Sequence, residues 1–227
     1  MKLPRALHIE GSCLPVCKAD PETIEFDKLK GKFLVIEEKV DGTGVSIELD
    51  TRFNLRISHR GSLATGKEFR PLHEWAESHW EDLLMLLGER YVLFGEWILN
   101  KHTIFYDNLP NFFLESDIYD KERQIWLSTM ARNSLLKDHK YINRVPVIAA
   151  FKPSALWQIT SLIEKNAKKT LLETDLSGMM EGFYIKEEDD FKVVNRYNYI
   201  KYGFLRTILN SGTHLNDILP TSNKLGT

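Results

Sequence analysis

The chain has 227 residues, 43% hydrophobic and 11% aromatic, which suits one packed domain with at most a small appendage and excludes a disordered chain. A formal net charge of −2 excludes a globally basic nucleic-acid binder, so any such contact must rest on local positive charge. No apolar run approaches the ~20 residues of a membrane span, and the opening MKLPRALHIEGSC lacks the apolar stretch of a signal peptide. The expectation is a cytoplasmic protein without a membrane segment. Cys13 and Cys17 have no second Cys/His cluster to complete a zinc site and read as reduced thiols.

In chain order, residues 33–49 read as an apolar strand, a tight Asp-Gly-Thr-Gly turn and an alternating strand with Val45, Ile47 and Leu49 on one face. Residues 52–60 continue as a strand. Residues 71–87 place Leu72, Trp75, Ala76, Trp80, Leu83, Leu84 and Leu87 on one helical face, with Pro71 in the first turn. Strands are expected at 90–99 and 111–119. A helix over 128–139 is opened by Ser128, and another begins near Ser154 with Leu156, Ile159, Leu162 and Ile163 inward. Residues 181–195 read as a hairpin, 199–211 as a short helix, and the tail after Asn216 as frayed. Many strands with segregated helices make an α+β domain.

The sharpest chemical feature is Lys39-Val40-Asp41-Gly42, at the end of an apolar strand. A lysine there has its stem held by packed neighbours and its amine aimed into a cleft. To attack phosphorus the amine must be neutral, which desolvation and nearby positive charge both favour. Taken alone the four letters fit a solvated lysine at a hairpin mouth better. They are followed by Ser58-His59-Arg60-Gly61, Phe94-Gly95-Glu96-Trp97, Phe113 to Asp117, Glu181-Gly182-Phe183-Tyr184-Ile185-Lys186 and Lys192, each on or beside an expected strand.

This order and spacing resemble the covalent nucleotidyltransferases, and within them the ATP-dependent RNA ligase family, in the RNA ligase 2-like group, over about residues 33–203. The resemblance implies a nucleotidyltransferase (adenylation) domain over 1–204: two antiparallel sheets flanked by helices with ATP between them, and a short, partly frayed extension over 205–227. Too few residues follow Gly203 for the OB module of DNA ligases and capping enzymes, which shifts the expectation toward RNA. The implied reaction joins 5′-phosphate and 3′-hydroxyl RNA ends through a lysyl-AMP and an adenylated RNA. A DNA nick ligase, a guanylyltransferase and a non-catalytic nucleotide- or RNA-binding domain are the alternatives. End-healing enzymes are candidate partners.

The resemblance also implies roles. Lys39 matches the lysine that takes AMP. Glu37, two residues earlier on the same strand face, and Val40 lie where adenine is contacted, and Asp41 orients the turn. Arg60 matches an arginine near ribose and phosphate. Glu96 and Glu181 match acids that reach the ribose and help hold a divalent cation, Mg²⁺ or Mn²⁺. Lys192 matches a lysine on the α-phosphate whose charge would lower the pKa of Lys39, and Lys186 serves phosphate or pairs with Glu187 or Glu188.

Two positions depart from the pattern. Ser116 stands where an aromatic usually stacks on adenine, leaving Leu114 or Trp97 as substitutes. Val194 stands where a second lysine belongs, with Arg196 two residues on. A basic set, Lys192, Arg196, Lys201 and Arg206, interleaves with Tyr197, Tyr199 and Tyr202 and suits either a phosphate track or core packing. The run Lys165, Lys168, Lys169 reads as charge on a helix end, and His102 as a solvated loop histidine.

Overall fold

A computed structural model describes residues 1–13, 22–166, 180–201 and 221–226. Its elements in chain order are β1 (Leu7–Ile9), β2 (Thr23–Ile24), β3 (Leu34–Glu38), β4 (Thr43–Leu49), β5 (Leu55–His59), β6 (Ser62–Leu63), α1 (Arg70–Ser78), α2 (Trp80–Leu87), β7 (Tyr91–Trp97), β8 (Phe113–Asp120), β9 (Ile125–Trp126), α3 (Thr129–Leu136), β10 (Asn143–Arg144), β11 (Val147–Phe151), α4 (Trp157–Asn166), β12 (Gly182–Glu188) and β13 (Val193–Ile200). They form the expected α+β arrangement of two sheets flanked by helices. One sheet runs β11-β3-β12-β13-β1-β2; the other runs β10-β8-β7-β4-β5-β6, with β9 on β8. The sheets are not wholly antiparallel: β1 pairs parallel with β13 and β2, and β10 parallel with β8.

Each sheet buries its apolar side outward. The β4–β5–β7–β8 sheet packs Val45, Ile47, Ile57 and Leu93 against Leu72 and Ala76 of α1, Leu83, Leu86 and Leu87 of α2, and Leu136 of α3. The other sheet packs Leu34, Ile36, Phe183, Ile185 and Tyr197 against Phe26, Leu29 and Ile159 of α4. The two inner faces are left to polar side chains, and the cleft between them holds the chemistry.

The largest correction concerns residues 33–49. They are not a hairpin. β3 belongs to one sheet and β4 to the other, so the chain crosses between sheets at Lys39–Gly42. A glycine is needed at 42 because a Cβ there would clash with Ile98 Cγ2. The expected helix over 71–87 breaks into α1 and α2 at His79, whose backbone leaves the helical region (φ −113°, ψ 23°) while its ring Nδ1 donates to the Trp75 carbonyl at 2.8 Å. Ser128 caps α3 as expected, accepting from Ala131 N at 3.3 Å. The 181–195 hairpin forms, turned by Asp189, whose Oδ1 accepts from Phe191 N and Lys192 N. Its second strand runs on through Ile200, so Tyr199 and Ile200 are strand rather than helix. Residues 202–211 of that expected helix, Cys17, and Lys168, Lys169, Tyr202 and Arg206 lie outside the described residues. At the tail, 221–226 are not frayed: Asn223 is 3% exposed and hydrogen-bonded on both sides of its amide. No described helix is long and apolar enough to cross a membrane.

Candidate active site

Lys39 follows β3 directly, and its amide still donates to Gly182 O at 3.0 Å, so its backbone remains tied to the first residue of β12. This places Glu181, one residue earlier, beside it: Lys39 Nζ lies 2.9 Å from Glu181 Oε1. From the opposite sheet, Glu96 of β7 enters the same space, paired in register with Gly44. Burial pushes the Lys39 amine down, but the Glu181 carboxylate, with Glu96 and Asp41 behind it, overrides this and holds the amine above its ordinary value. Burial raises Glu96 to about 7, Lys39 opposing and Glu181 and Asp41 adding to the rise. Burial likewise raises Glu181, against the pull of Lys39.

Two contiguous cavities meet here, sharing Leu3, Glu96 and Ser116. The smaller, about 230 Å³, is lined by Lys39, Val40, Tyr184 and Asn198 among others. The larger, about 660 Å³, is lined by the Gly42–Gly44 turn, Arg60, Glu96 and His102 among others. The structure therefore brings Lys39, Glu96 and Glu181 together and sets Arg60 on the neighbouring wall, in the tight β5–β6 turn (φ 51°). The Val40 side chain is core, packed with Ile98 and Tyr106. Asp41 accepts from Thr103 N and Ile104 N at 2.6 and 2.9 Å, and its own amide donates to Tyr106 Oη at 3.0 Å, so it fastens the crossing to the 98–109 loop. That loop carries His102, whose Nε2 is 3.1 Å from Thr43 Oγ1. From the sequence His102 is expected to be a solvated loop residue; only the crossover brings it to the cavity.

Lys186 and Lys192 do not join Lys39. Lys186 is fully buried, with Glu37 Oε2 at 2.8 Å and Asp117 Oδ2 at 3.5 Å, and it donates to Ser116 O. It pairs with neither Glu187 nor Glu188 across these contacts. Lys192 is exposed in the hairpin turn at the far end of β12, roughly 20 Å from Gly182 at a strand rise of ~3.3 Å per residue. It therefore cannot lower the pKa of Lys39. Arg196 does not replace it, being buried with Nη2 2.9 Å from Asp117 Oδ1. Glu37 is also engaged: its Oε1 accepts from Arg132 Nη2 at 2.5 Å, so only its backbone and stem are left to face a ligand.

Arg132 was invisible in the sequence. From α3 its guanidinium reaches Glu37 of one sheet, and Glu115 Oε1 (2.7 Å) and Ser116 O of the other. Glu37, Lys186 and Arg196 thus face Glu115 and Asp117 across the inter-sheet gap, with Arg132 between. Asp117 is held below the usual carboxylate range: burial opposes, but Lys186 and Arg196 prevail. The β7–β8 register shifts between Phe94 and Gly95, which pair with Asp117 and Glu115, so Ser116 is the extra residue of a bulge. A bulge re-aims its carbonyl, here toward both Arg132 and Lys186. Neither Leu114 nor Trp97 lines the cavities; both are in apolar cores.

A comparison with curated protein sequences returns no match. Among solved structures, the Naegleria gruberi RNA ligase with PPi superposes with a TM-score of 0.61 at 18% identity, covering 92% of this chain and 64% of that one. A variant of that ligase with ATP and Mn gives 0.61 at 19% identity, covering 80% and 52%. A further variant without ligand gives 0.60 at 19% identity, covering 80% and 53%. These likenesses show a shared fold, and the chain spans between about half and two thirds of the length of those ligases. The RNA ligase family profile matches residues 32–202, most of the chain and the strands that carry Lys39, Glu96 and Glu181, and the chain belongs to the RNA ligase family.

Proposed function

We propose that the chain is an ATP-dependent RNA ligase that takes AMP onto Lys39 Nζ. The observation that carries this is that Lys39 and Glu96, from separate sheets, line one cavity while Glu181 Oε1 lies 2.9 Å from Lys39 Nζ. A lysine serving only solubility would face water rather than a desolvated carboxylate pair. Residues 1–204 would form the adenylation domain.

In this reading Nζ attacks the α-phosphorus of ATP and pyrophosphate leaves. AMP then passes to the 5′-phosphate of an RNA end, and the 3′-hydroxyl of a second end displaces AMP. The first step needs the amine neutral, whereas Glu181 and Glu96 keep it an ammonium. The same two acids fit a divalent cation. Two carboxylates suit Mg²⁺ or Mn²⁺, which would take its other ligands from phosphate and water. Such a cation supplies charge to the triphosphate and leaving group. Once the carboxylates are turned away from Lys39, its burial favours the neutral amine. The N. gruberi structure with ATP and Mn supports the nucleotide and metal assignment by analogy.

The base is assigned to the smaller cavity. Tyr184 is the one aromatic among its described lining residues, and Ser116 opposite leaves room for a ring. Asn198, paired with Tyr184 across β12–β13, presents an amide at the base edge. The aromatic surface that β8 lacks is thus supplied from the other sheet. Arg60, with its paired donors, faces phosphate in the larger cavity. Joining such ends places the enzyme after end-healing activities in cytoplasmic RNA repair.

Incubation with ATP labelled at the α-phosphate tests this: label should stay on the chain and be absent from Lys39→Ala. Parallel assays with GTP, and with nicked RNA and nicked DNA, separate an RNA ligase from a guanylyltransferase or DNA ligase. Tight ATP binding without pyrophosphate release would mark a non-catalytic binder.

A further inference from the structure

The 98–109 loop grips the nucleophile turn through Asp41 and Thr43, yet has no helix or strand of its own. Its shape comes from the tail. The extended peptide 221–226 lies between its two limbs. On one limb Lys101 N donates to Thr221 O and Asn223 N to Leu99 O, both at 2.8 Å. On the other, Lys224 N donates to Tyr106 O at 2.9 Å and Leu109 N to Lys224 O at 3.0 Å. The Asn223 amide joins the limbs: Nδ2 donates to Ile98 O at 2.7 Å, and Oδ1 accepts from Tyr106 N at 2.9 Å. Tyr106 in turn presents its hydroxyl to Asp41 N, two residues from Lys39. A path of hydrogen bonds, buried at Asn223 and part-buried at Asp41, therefore runs from Asn223 through Tyr106 to the Asp41 amide, two residues from the nucleophile.

We propose that the docked tail is a positioning device for AMP transfer, with Asn223 as its positioning residue. This rests on the ligase reading above. Asn223 touches no reacting atom; it fixes the loop that fixes the turn. Buried amides left without partners would reopen the limbs, and a displacement of about 1 Å at the nucleophile is enough to slow transfer by an order of magnitude or more. No residue of this loop lines the base cavity, and the one that lines the larger cavity, His102, has no contact with ATP assigned to it, so ATP affinity should be spared.

The test compares full-length wild type, Asn223→Ala and Leu86→Ala, the last a core substitution in α2 that lowers stability away from the site. Asn223→Ala should lower the rate of AMP transfer to Lys39 at saturating ATP by about tenfold or more while the half-saturating ATP concentration moves by less than about twofold. Leu86→Ala should leave transfer near wild type. A second readout is amide hydrogen exchange of Thr103 and Ile104, which should accelerate in Asn223→Ala and not in Leu86→Ala. Wild-type rates for Asn223→Ala, an equal loss in Leu86→Ala, or a change confined to ATP affinity would each overturn the proposal. Unchanged exchange at Thr103 and Ile104 would overturn it even if the wild type took no label, whereas that absence of label with accelerated exchange would sink only the ligase reading.

Discussion

Lys39 Nζ and Glu181 Oε1 lie 2.9 Å apart at the mouth of a cleft between two sheets. The pair sets the resting state of the site. It holds the amine above its ordinary value, in the ammonium form. In the proposed reaction, readiness for attack would then depend on the carboxylate being drawn away from the lysine, rather than being a fixed property of that side chain.

Glu96 gives this a pH signature. Its folded value is raised to about 7. Below its unfolded value, near 4.3, both states are protonated and the stabilisation is complete. As pH rises toward 7 the unfolded chain ionises first, so stability falls, and it levels off above 7. Allowing for partial exposure, the loss is about 1–3 kcal/mol. Glu96→Gln removes it, so the variant should gain stability on the wild type between pH 5 and pH 8, as measured by urea unfolding. Parallel curves for the two proteins would contradict this.

Arg132 holds the sheets together. Replacing it with Met leaves Glu115 buried without its paired cation and Glu37 with Lys186 alone, which should cost about 3–5 kcal/mol in urea unfolding. A loss below about 1 kcal/mol, the range of exposed pairs, would show that the cluster is not the bolt described here.

Tyr184 should carry the base. A base stacked on an aromatic ring is worth about 1–3 kcal/mol, so Tyr184→Ala should raise the half-saturating ATP concentration by about 5- to 100-fold, and Tyr184→Phe should stay near wild type. Equal behaviour of both variants would move the base elsewhere.

Lys192, exposed at the far end of the hairpin, should be dispensable for the first step. Lys192→Ala should label at Lys39 within about twofold of wild type, as expected for a surface change remote from the reacting atoms. Loss of labelling would mean that the hairpin end reaches the nucleotide.

Much of this was legible in the chain. The alternation of Val45, Ile47 and Leu49, the Ser128 cap, the Asp189 hairpin and the run of motifs all signal themselves locally, because short-range geometry decides them. What the chain hid depends on long-range pairing. A strand, a glycine turn and a strand look the same whether they fold back as a hairpin or cross between sheets, and here they cross. Lys186 and Lys192 read alike as lysines near a strand, yet one is buried among Glu37 and Asp117 and the other faces solvent. Arg132 sits in no motif, and a frayed-looking tail gives no sign that Asn223 has partners more than a hundred residues away. Ser116 was visible as a departure, but its bulge, and the aromatic facing it from the other sheet, appear only once β7, β8 and β12 are placed.

The most direct measurement is the intact mass of the protein after incubation with ATP and Mg²⁺. A gain of one AMP on the wild type, absent from Lys39→Ala, is the predicted result; no gain on the wild type, or the same gain on the alanine variant, would contradict the account.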